Sequence, residues 1–136
     1  MKLLLDTHIL IWSRLSPEQL SGAATEALQD EGNELWYSPI TVWEILLLAE
    51  KKRLRVKGDP YRWVERALDG LREAPLNRHV AMESRRLNLP HKDPGDRFIA
   101  ATAQVYDLVL VTVDERLLAC PKLKTLAIGE IASGGK

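Results

Sequence analysis

Two short apolar runs, each ending at an aspartate, constrain the fold of this chain most strongly. The stretch Lys2–Leu5 is apolar after its first residue and stops at Asp6, and the stretch Leu108–Val113 stops at Asp114. Short apolar runs without polar alternation are typical of strands buried on both faces of a parallel sheet. Each aspartate then lies at the carboxyl end of a strand, which is the edge where open α/β sheets bind ligands.

The rest of the chain alternates between strand patterns and helix patterns. Further strands are predicted at 34–37, 74–76 and 125–128, with helices at 7–13, 16–30, 40–54, 60–72, 78–87, from 94 onward and after 114. This alternation predicts an α/β fold, a parallel sheet with helices on both faces. The sequence contains no internal repeat or linker, so we expect a single domain over residues 1–132, followed by a frayed tail at 133–136.

Composition narrows the function classes. The 19 basic and 19 acidic residues cancel, so any contact with RNA or DNA must come from a local patch. The single cysteine cannot form an internal disulfide, which favours a reducing cytoplasm. The leading apolar run stops at Asp6 and His8 with no small-residue cleavage site after it, which predicts a strand and not a signal peptide. No apolar run approaches the roughly 20 residues that a membrane span needs.

A core helix is predicted to begin at Asp93-Pro94. Aspartate is a favoured helix N-cap and proline a favoured first helical residue, and from Phe98 the helix is apolar on almost every side. Asp96 lies in the first turn, where free backbone N–H groups and the helix dipole favour a carboxylate. Both aspartates could serve only as caps, and for Asp93 that interpretation stays open.

Glu44 is the exceptional residue of its helix, because its neighbours from Ile40 to Leu48 are almost all apolar. An ionised carboxylate buried alone is very costly, so such a group is protonated, paired with a cation or bound to a metal. Arg97 and Arg116 are candidate cations, although neither lies at an intrahelical spacing from Glu44. For Glu44 by itself, a buried salt bridge or a solvated helix edge therefore remains an alternative to a metal site.

Taken together, the acids at 6, 44, 96 and 114 would point into one crevice of such a sheet. Like charges share a pocket only when protons or cations neutralise them, and oxygen ligands without histidine or cysteine favour Mg²⁺ or Mn²⁺ over zinc. A metal held by few carboxylates suits phosphodiester hydrolysis.

Several polar neighbours of these acids are assigned lesser roles. Thr7 and Thr112 are candidates for orienting a carboxylate or a water, or for ordinary turn chemistry. His8 and His91 are poor candidates for a general base, because a metal-activated water needs no histidine. Glu115 remains an alternative to its neighbour Asp114.

Four segments of the sequence together resemble one known family. They are Asp6-Thr7-His8, Ser38-Pro39-Ile40-Thr41-Val42-Trp43-Glu44-Ile45, His91-Lys92-Asp93-Pro94-Gly95-Asp96-Arg97 with the following Ile99-Ala100-Ala101-Thr102-Ala103, and Leu110-Val111-Thr112-Val113-Asp114. In this order and spacing they resemble the PIN-domain ribonucleases, in particular the VapC-like toxins of bacterial toxin–antitoxin pairs. The resemblance implies a Rossmann-like parallel sheet of about five strands. It also implies that Asp6, Glu44, Asp96 and Asp114 form the catalytic quartet that binds Mg²⁺ or Mn²⁺, with Asp93 as a further ligand or a cap.

The resemblance also carries expectations about activity and partners. It implies an endoribonuclease that cleaves structured RNA, typically tRNA or rRNA. For the mechanism we expect attack on the phosphate by a metal-bound hydroxide. The resemblance further implies inhibition by a VapB-like antitoxin and assembly into homodimers. Two other functions remain as alternatives. One is a phosphatase with a nucleophilic aspartate, which is disfavoured because the residue two positions after Asp6 is His8 and not a second aspartate. The other is a non-catalytic domain that binds a metal or a partner.

A basic run follows the helix that carries Glu44. Lys51, Lys52, Arg53 and Arg55 are the best local candidates for contact with an RNA backbone, although cations at a helix carboxyl end also suit the helix dipole. Trp43 and Leu47, beside Glu44, are the residues expected to form an apolar groove for an antitoxin helix.

Overall fold

The computed structural model describes residues 1–127, and within them five strands alternate with seven α-helices. The elements are β1 (Lys2–Leu5), α1 (Thr7–Leu15), α2 (Gly22–Gln29), β2 (Glu34–Tyr37), α3 (Pro39–Glu50), α4 (Pro60–Ala67), β3 (Arg72–Glu73), α5 (Arg78–Arg86), α6 (Pro94–Val105), β4 (Val109–Thr112), α7 (Glu115–Leu118) and β5 (Thr125–Ala127). The predicted α/β alternation is confirmed.

The five strands form one parallel sheet in the order β3-β2-β1-β4-β5. In the centre, Leu4 of β1 pairs with Trp36 of β2 on one side and with Leu110 of β4 on the other. The strand order reverses beside β1, because the chain first winds outward through β2 and β3 and then returns to β4. In open α/β sheets the crevice at such a switch point is where ligands bind.

Two apolar cores, one on each face of the sheet, hold the helices in place. Successive side chains of a strand point to opposite faces, so Leu4 and Leu110 contact the core that contains Ile99 of α6. Leu3 and Val111 contact the other core, which the helices α1 to α4 complete. The prediction of helices on both faces of a Rossmann-like sheet is therefore confirmed.

Several predicted boundaries were wrong, each for a local reason. The helix predicted at 16–30 is a 3-10 turn at Pro17–Gln19 followed by a separate α2, because the Ser21 side chain caps a new helix by accepting from the N–H of Ala24. The helix predicted at 40–54 ends at Glu50, since Lys52 adopts a φ of 58°. The helix predicted at 60–72 ends at Ala67, because the chain turns at Gly70, whose φ is 83°. The strand predicted at 74–76 therefore begins earlier, at Arg72–Glu73.

The far end of the chain lies outside the described residues. This includes Ile128 of the last predicted strand, the predicted domain end at 132 and the predicted tail at 133–136. Among residues 1–127, no helix is long and apolar enough to cross a membrane. Cys120 is buried and unbonded.

Candidate active site

Acidic side chains from four elements surround one cleft at the carboxyl edge of the sheet. The cleft has a volume of about 490 Å³. Its lining includes the acids Asp6, Glu44, Asp93, Asp96 and Asp114, together with Thr7, His8, Trp43, Leu47, Lys51 and Arg53. The structure thus places all four predicted quartet residues, and Asp93, around one space.

Asp6 leaves β1 and caps α1. Its Oδ1 accepts a hydrogen bond from the backbone N–H of Thr7 at 2.8 Å, and its Oδ2 accepts from the hydroxyl of Thr112 at 2.6 Å. Burial raises the pKa of the Asp6 carboxyl above its ordinary value, and these two hydrogen bonds only partly offset that effect. A cation near Asp6 would therefore stabilise its charged form.

Glu44 projects from the middle of α3 into the cleft. The Thr7 hydroxyl donates to Glu44 Oε1 at 2.5 Å and lies 3.0 Å from the hydroxyl of Thr41. Desolvation raises the pKa of the Glu44 carboxyl, and the charges of Asp6, Asp93 and Asp96 raise it further.

The other carboxylate oxygen of Glu44 lies against the first turn of α6. A Cβ atom added to Gly95 would come within 2.6 Å of Glu44 Oε2 and 3.3 Å of Asp93 Oδ1. Gly95 therefore allows the Glu44 carboxylate to lie beside the aspartates of the first turn.

Asp93 and Asp96 occupy the start of α6. Asp93 accepts from the backbone N–H of Gly95 at 2.9 Å, which makes it the helix cap that the sequence predicted. Burial raises the pKa of Asp96, and the charges of Asp93 and Asp6 raise it further.

Asp114 has a different environment. Its Oδ2 lies 2.8 Å from Nε2 of His91, whose residue is only 3% exposed. Its Oδ1 caps α7 by accepting from the N–H of Arg116 at 2.9 Å. Although desolvation raises the pKa of the Asp114 carboxyl, the hydrogen bond to His91 and the N–H of Arg116 outweigh it, so the pKa falls below its ordinary value.

Within residues 1–127, no basic side chain forms an ion pair with Asp6, Glu44 or Asp96. Arg97 does not face Glu44, because its guanidinium donates to the backbone carbonyls of Ser84, Leu87, Leu89 and His91. Arg116 lies 3.7 Å from Asp114 instead. Neither sequence-based candidate for a salt bridge to Glu44 makes one.

A divalent cation fits this donor set. Carboxylate oxygens of raised pKa that line one cleft, without a cationic partner among residues 1–127, are the ligands that Mg²⁺ and Mn²⁺ prefer. The potential ligand atoms of His91, Asp96 and Asp114 also lie within 4.8 Å of one another.

Comparison with known proteins identifies the family. The profile of the PIN domain matches residues 3–123, which is most of the chain. The chain belongs to the PIN-domain family. Ribonuclease VapC22 of Mycobacterium tuberculosis is 33% identical to it over 117 residues, covering 84% of this chain and 88% of that protein. The resemblance to VapC-like PIN-domain proteins is therefore confirmed.

Solved structures share the fold of this PIN domain. A chain of VapBC2 from Rickettsia felis, bound to a DNA fragment from its promoter, superposes with a TM-score of 0.73 at 18% identity, covering 94% of this chain and 99% of that one. A chain of DNA-bound VapBC from Salmonella typhimurium gives a TM-score of 0.70 at 22% identity, covering 93% and 98%.

Two contributors to the PIN-domain site were not assigned from the sequence. The hydroxyl of Thr41 hydrogen-bonds to that of Thr7, which in turn donates to Glu44. The sequence offered one indication of this role, because Thr41 precedes Glu44 by one helical turn. Sequence analysis assigned His91 no role beyond that of a poor general-base candidate, yet it is buried against Asp114. Its place two residues before Asp93 gave no indication of that contact, because the two partners are 23 residues apart.

The predicted basic run divides between two surfaces of the PIN domain. Lys51 and Arg53 line the acidic cleft, whereas Lys52 and Arg55 line a neighbouring groove. Trp43 is 60% exposed at the rim of the cleft, where Leu47 also lies. Trp43 is shared with an apolar groove lined by Pro39, Ile40, Leu76 and Phe98.

Proposed function

We propose that this PIN domain is an endoribonuclease that depends on Mg²⁺ or Mn²⁺ and acts as the toxin of a toxin–antitoxin pair. One observation carries the proposal: Asp6, Glu44 and Asp96 share a cleft, burial raises the pKa of each, and no basic side chain among residues 1–127 is paired with them. Such an arrangement is costly unless a cation compensates it.

Asp6, Glu44, Asp96 and Asp114 would hold the metal, and Asp93 lines the same cleft. When bound, the divalent ion supplies Lewis acidity at phosphate oxygens and favours deprotonation of the attacking water. The remaining contributions come from the chain itself. Thr112 orients Asp6, and Thr7, backed by Thr41, orients Glu44.

Binding of RNA is assigned to the basic residues at the rim. Lys51 and Arg53 lie beside the acids, where they would contact backbone phosphates flanking the bond that is cut. Lys52 and Arg55 extend this surface into the neighbouring groove. The proposed substrate class is structured RNA, tRNA or rRNA. The relative is named a ribonuclease, which supports RNA as the polymer that is cut.

The same relatives support the proposed partners. Solved structures of similar fold include a toxin–antitoxin complex, so a VapB-like antitoxin is the proposed inhibitor of this chain, and exposed Trp43 with Leu47 is its proposed contact surface. We also propose a homodimer, a single domain that spans residues 1–132, and a cytoplasmic location.

The experiment that tests the activity is cleavage of RNA by the purified, antitoxin-free protein. Total bacterial RNA is incubated with Mn²⁺ or Mg²⁺, and new 5′ ends are mapped for the unaltered protein, Asp6→Asn and Asp107→Asn. Asp107 is a matched control, because it is an exposed aspartate paired with Lys124 at 2.7 Å outside the cleft.

We expect discrete, metal-dependent ends from the unaltered protein and from Asp107→Asn, and a loss of more than about 100-fold in Asp6→Asn, since even indirect contacts to a metal are worth 10–100-fold. Full activity in a folded Asp6→Asn protein would contradict the proposed site. Metal binding without any cleavage would instead favour the non-catalytic binding domain.

A further inference from the structure

The side chain of His91 is buried and contacts Asp114, although His91 lies in a loop. Its side chain is fully buried, its Nε2 lies 2.8 Å from Asp114 Oδ2, and its Nδ1 has no hydrogen-bond partner among residues 1–127. A carboxylate can only accept a hydrogen bond, so Nε2 must carry the proton and donate it. Nδ1 is then an unprotonated acceptor that has no partner among residues 1–127.

The backbone around His91 is fixed by Arg97. The guanidinium of Arg97 donates to the carbonyl oxygens of Leu87 at 2.8 Å, Leu89 at 3.1 Å and His91 at 3.1 Å. Its Nε donates to Ser84 at 2.9 Å, so the same side chain also binds the end of α5. One rigid planar group thus sets the path of the segment from Leu87 to His91.

Both carboxylate oxygens of Asp114 accept hydrogen bonds. His91 engages Oδ2, and the N–H groups at the start of α7 engage Oδ1. Asp96 and Arg97 are adjacent on α6, so this helix sets Asp96 directly and sets Asp114 through Arg97 and His91.

We propose that His91 is a positioning residue for the metal site, which fixes the Asp114 carboxylate through its Nε2–H and does not itself bind the metal. The proposal rests on the proposed function for the identity of the metal, although its main readout is metal binding without RNA. Loss of the Nε2–H should weaken the site by an amount typical of contacts that orient a ligand, about 10–100-fold in affinity.

The experiment compares His91→Leu with His91→Gln in the full chain. Glutamine can present an N–H near the position of Nε2, whereas leucine fills space without a donor. Mn²⁺ affinity is measured from the electron paramagnetic resonance signal of free Mn²⁺, and each variant is checked for folding by near-ultraviolet circular dichroism. We expect about 10–100-fold weaker binding for His91→Leu and a change within about threefold for His91→Gln.

Measuring His91→Leu in an Asp114→Asn background shows whether His91 affects Mn²⁺ binding through Asp114 or through general damage to the fold. If His91 acts through Asp114, then His91→Leu should add no more than about threefold to the effect of Asp114→Asn. An undiminished effect of His91→Leu in that background, or equal weakening by leucine and glutamine, overturns the proposal. So does absence of Mn²⁺ binding by the unaltered protein.

Two spectroscopic measurements on the unaltered protein keep the proposal falsifiable if His91→Leu fails to fold. Long-range ¹H–¹⁵N correlation in the metal-free protein should show His91 with Nε2 protonated and Nδ1 bare, and the opposite tautomer overturns the proposal. Electron spin echo modulation of the Mn²⁺ complex should show no nitrogen from His91 bound to the metal, whereas a directly bound imidazole nitrogen overturns it. Mn²⁺ binding that follows these expectations without RNA cleavage would instead count only against the proposed function.

Discussion

The acidic cleft has two sides, and the carboxyl pKa is shifted in opposite directions on them. On the unpaired side, formed by Asp6, Glu44 and Asp96, hydrogen bonds come from hydroxyls and backbone groups, and burial raises every carboxyl pKa. On the paired side, Asp114 receives a hydrogen bond from His91, and its carboxyl pKa is lowered. The unpaired side needs a cation from outside the chain, whereas the paired side is stabilised as an anion without one.

This difference shows how a chain can keep four acids in one pocket and still fold. Asp114 contributes to stability through its partner and its helix cap, while the other three oppose folding at neutral pH until a cation binds. A metal would therefore act mainly on the unpaired side, and the paired side would supply a charge of fixed position.

The sharpest test of the comparison is the stability of two metal-free variants. Asp114→Ala removes a helix cap and leaves buried His91 without its acceptor, so the free energy of unfolding should fall by about 1–2 kcal/mol. Glu44→Gln keeps an acceptor for Thr7 and removes one of the repelling charges, so stability should rise by a few tenths to about 1 kcal/mol, limited by solvent that reaches this half-buried group. Urea unfolding in the presence of a chelator measures both changes. The comparison fails if both variants shift stability in the same direction.

The second test is the pH dependence of stability in the metal-free protein. Folding raises the carboxyl pKa on the unpaired side above the ordinary values of 3.8 for Asp6 and 4.5 for Glu44, so the folded state retains protons that the unfolded state has lost. The free energy of unfolding should therefore fall as the pH rises above those values, by at most about 1.4 kcal/mol per pH unit for each group. The lowered pKa of Asp114 acts in the opposite sense, since its contribution is lost as the pH falls below 3.8.

Urea titrations at a series of pH values measure this slope. Glu44→Gln should make it shallower, and saturating Mg²⁺ should flatten or reverse it, because the metal replaces the protons. If neither Glu44→Gln nor saturating Mg²⁺ changed this slope, the carboxyl groups of the unpaired side would not be the cause of the pH dependence of stability.

A third test concerns the packing of Glu44 against α6. In Gly95→Ala the new Cβ would come within 2.6 Å of Glu44 Oε2, so the end of that side chain must move. We expect roughly tenfold weaker Mn²⁺ binding, as for other contacts that orient a metal ligand, with little loss of stability because alanine favours a helix. Gly22→Ala, at the start of α2 with no atom within 4 Å, is the matched control and should leave metal affinity unchanged. Equal affinities for the two variants would remove Gly95 from the site.

The smallest expected effect is on RNA binding by the basic residues at the rim of the acidic cleft. In an Asp6→Asn background that cannot cleave, replacing Lys51 and Arg53 by alanine should reduce the salt dependence of RNA binding. The logarithmic slope should fall by about 0.7 for each single-strand phosphate that the variant no longer neutralises. Replacing Lys52 and Arg55, which face the neighbouring groove, is the comparison. An unchanged slope after removal of Lys51 and Arg53 would assign them to the solvated surface.

Much of this molecule was predictable because the signals are local. The apolar runs that end at Asp6 and Asp114 predicted two central strands and the edge at which their acids meet, and Asp93-Pro94 predicted the cap of α6. Helix ends were less predictable. Lys52 stops α3 with a positive φ that no residue pattern indicated, and Ser21 begins a new helix inside a stretch whose helical pattern is continuous.

The sequence by itself thus determined the α/β fold, its parallel sheet and the collection of acids at one edge, since apolar periodicity and caps act within a few residues. Only the tertiary structure decided which groups become partners. Thr112 reaches Asp6 across 106 residues of sequence, and Thr7 reaches Glu44 across 37. The turning of Arg97 away from Glu44 and the burial of His91 against Asp114 were equally undetermined, because a hydrogen-bond partner is chosen by the packing of distant elements.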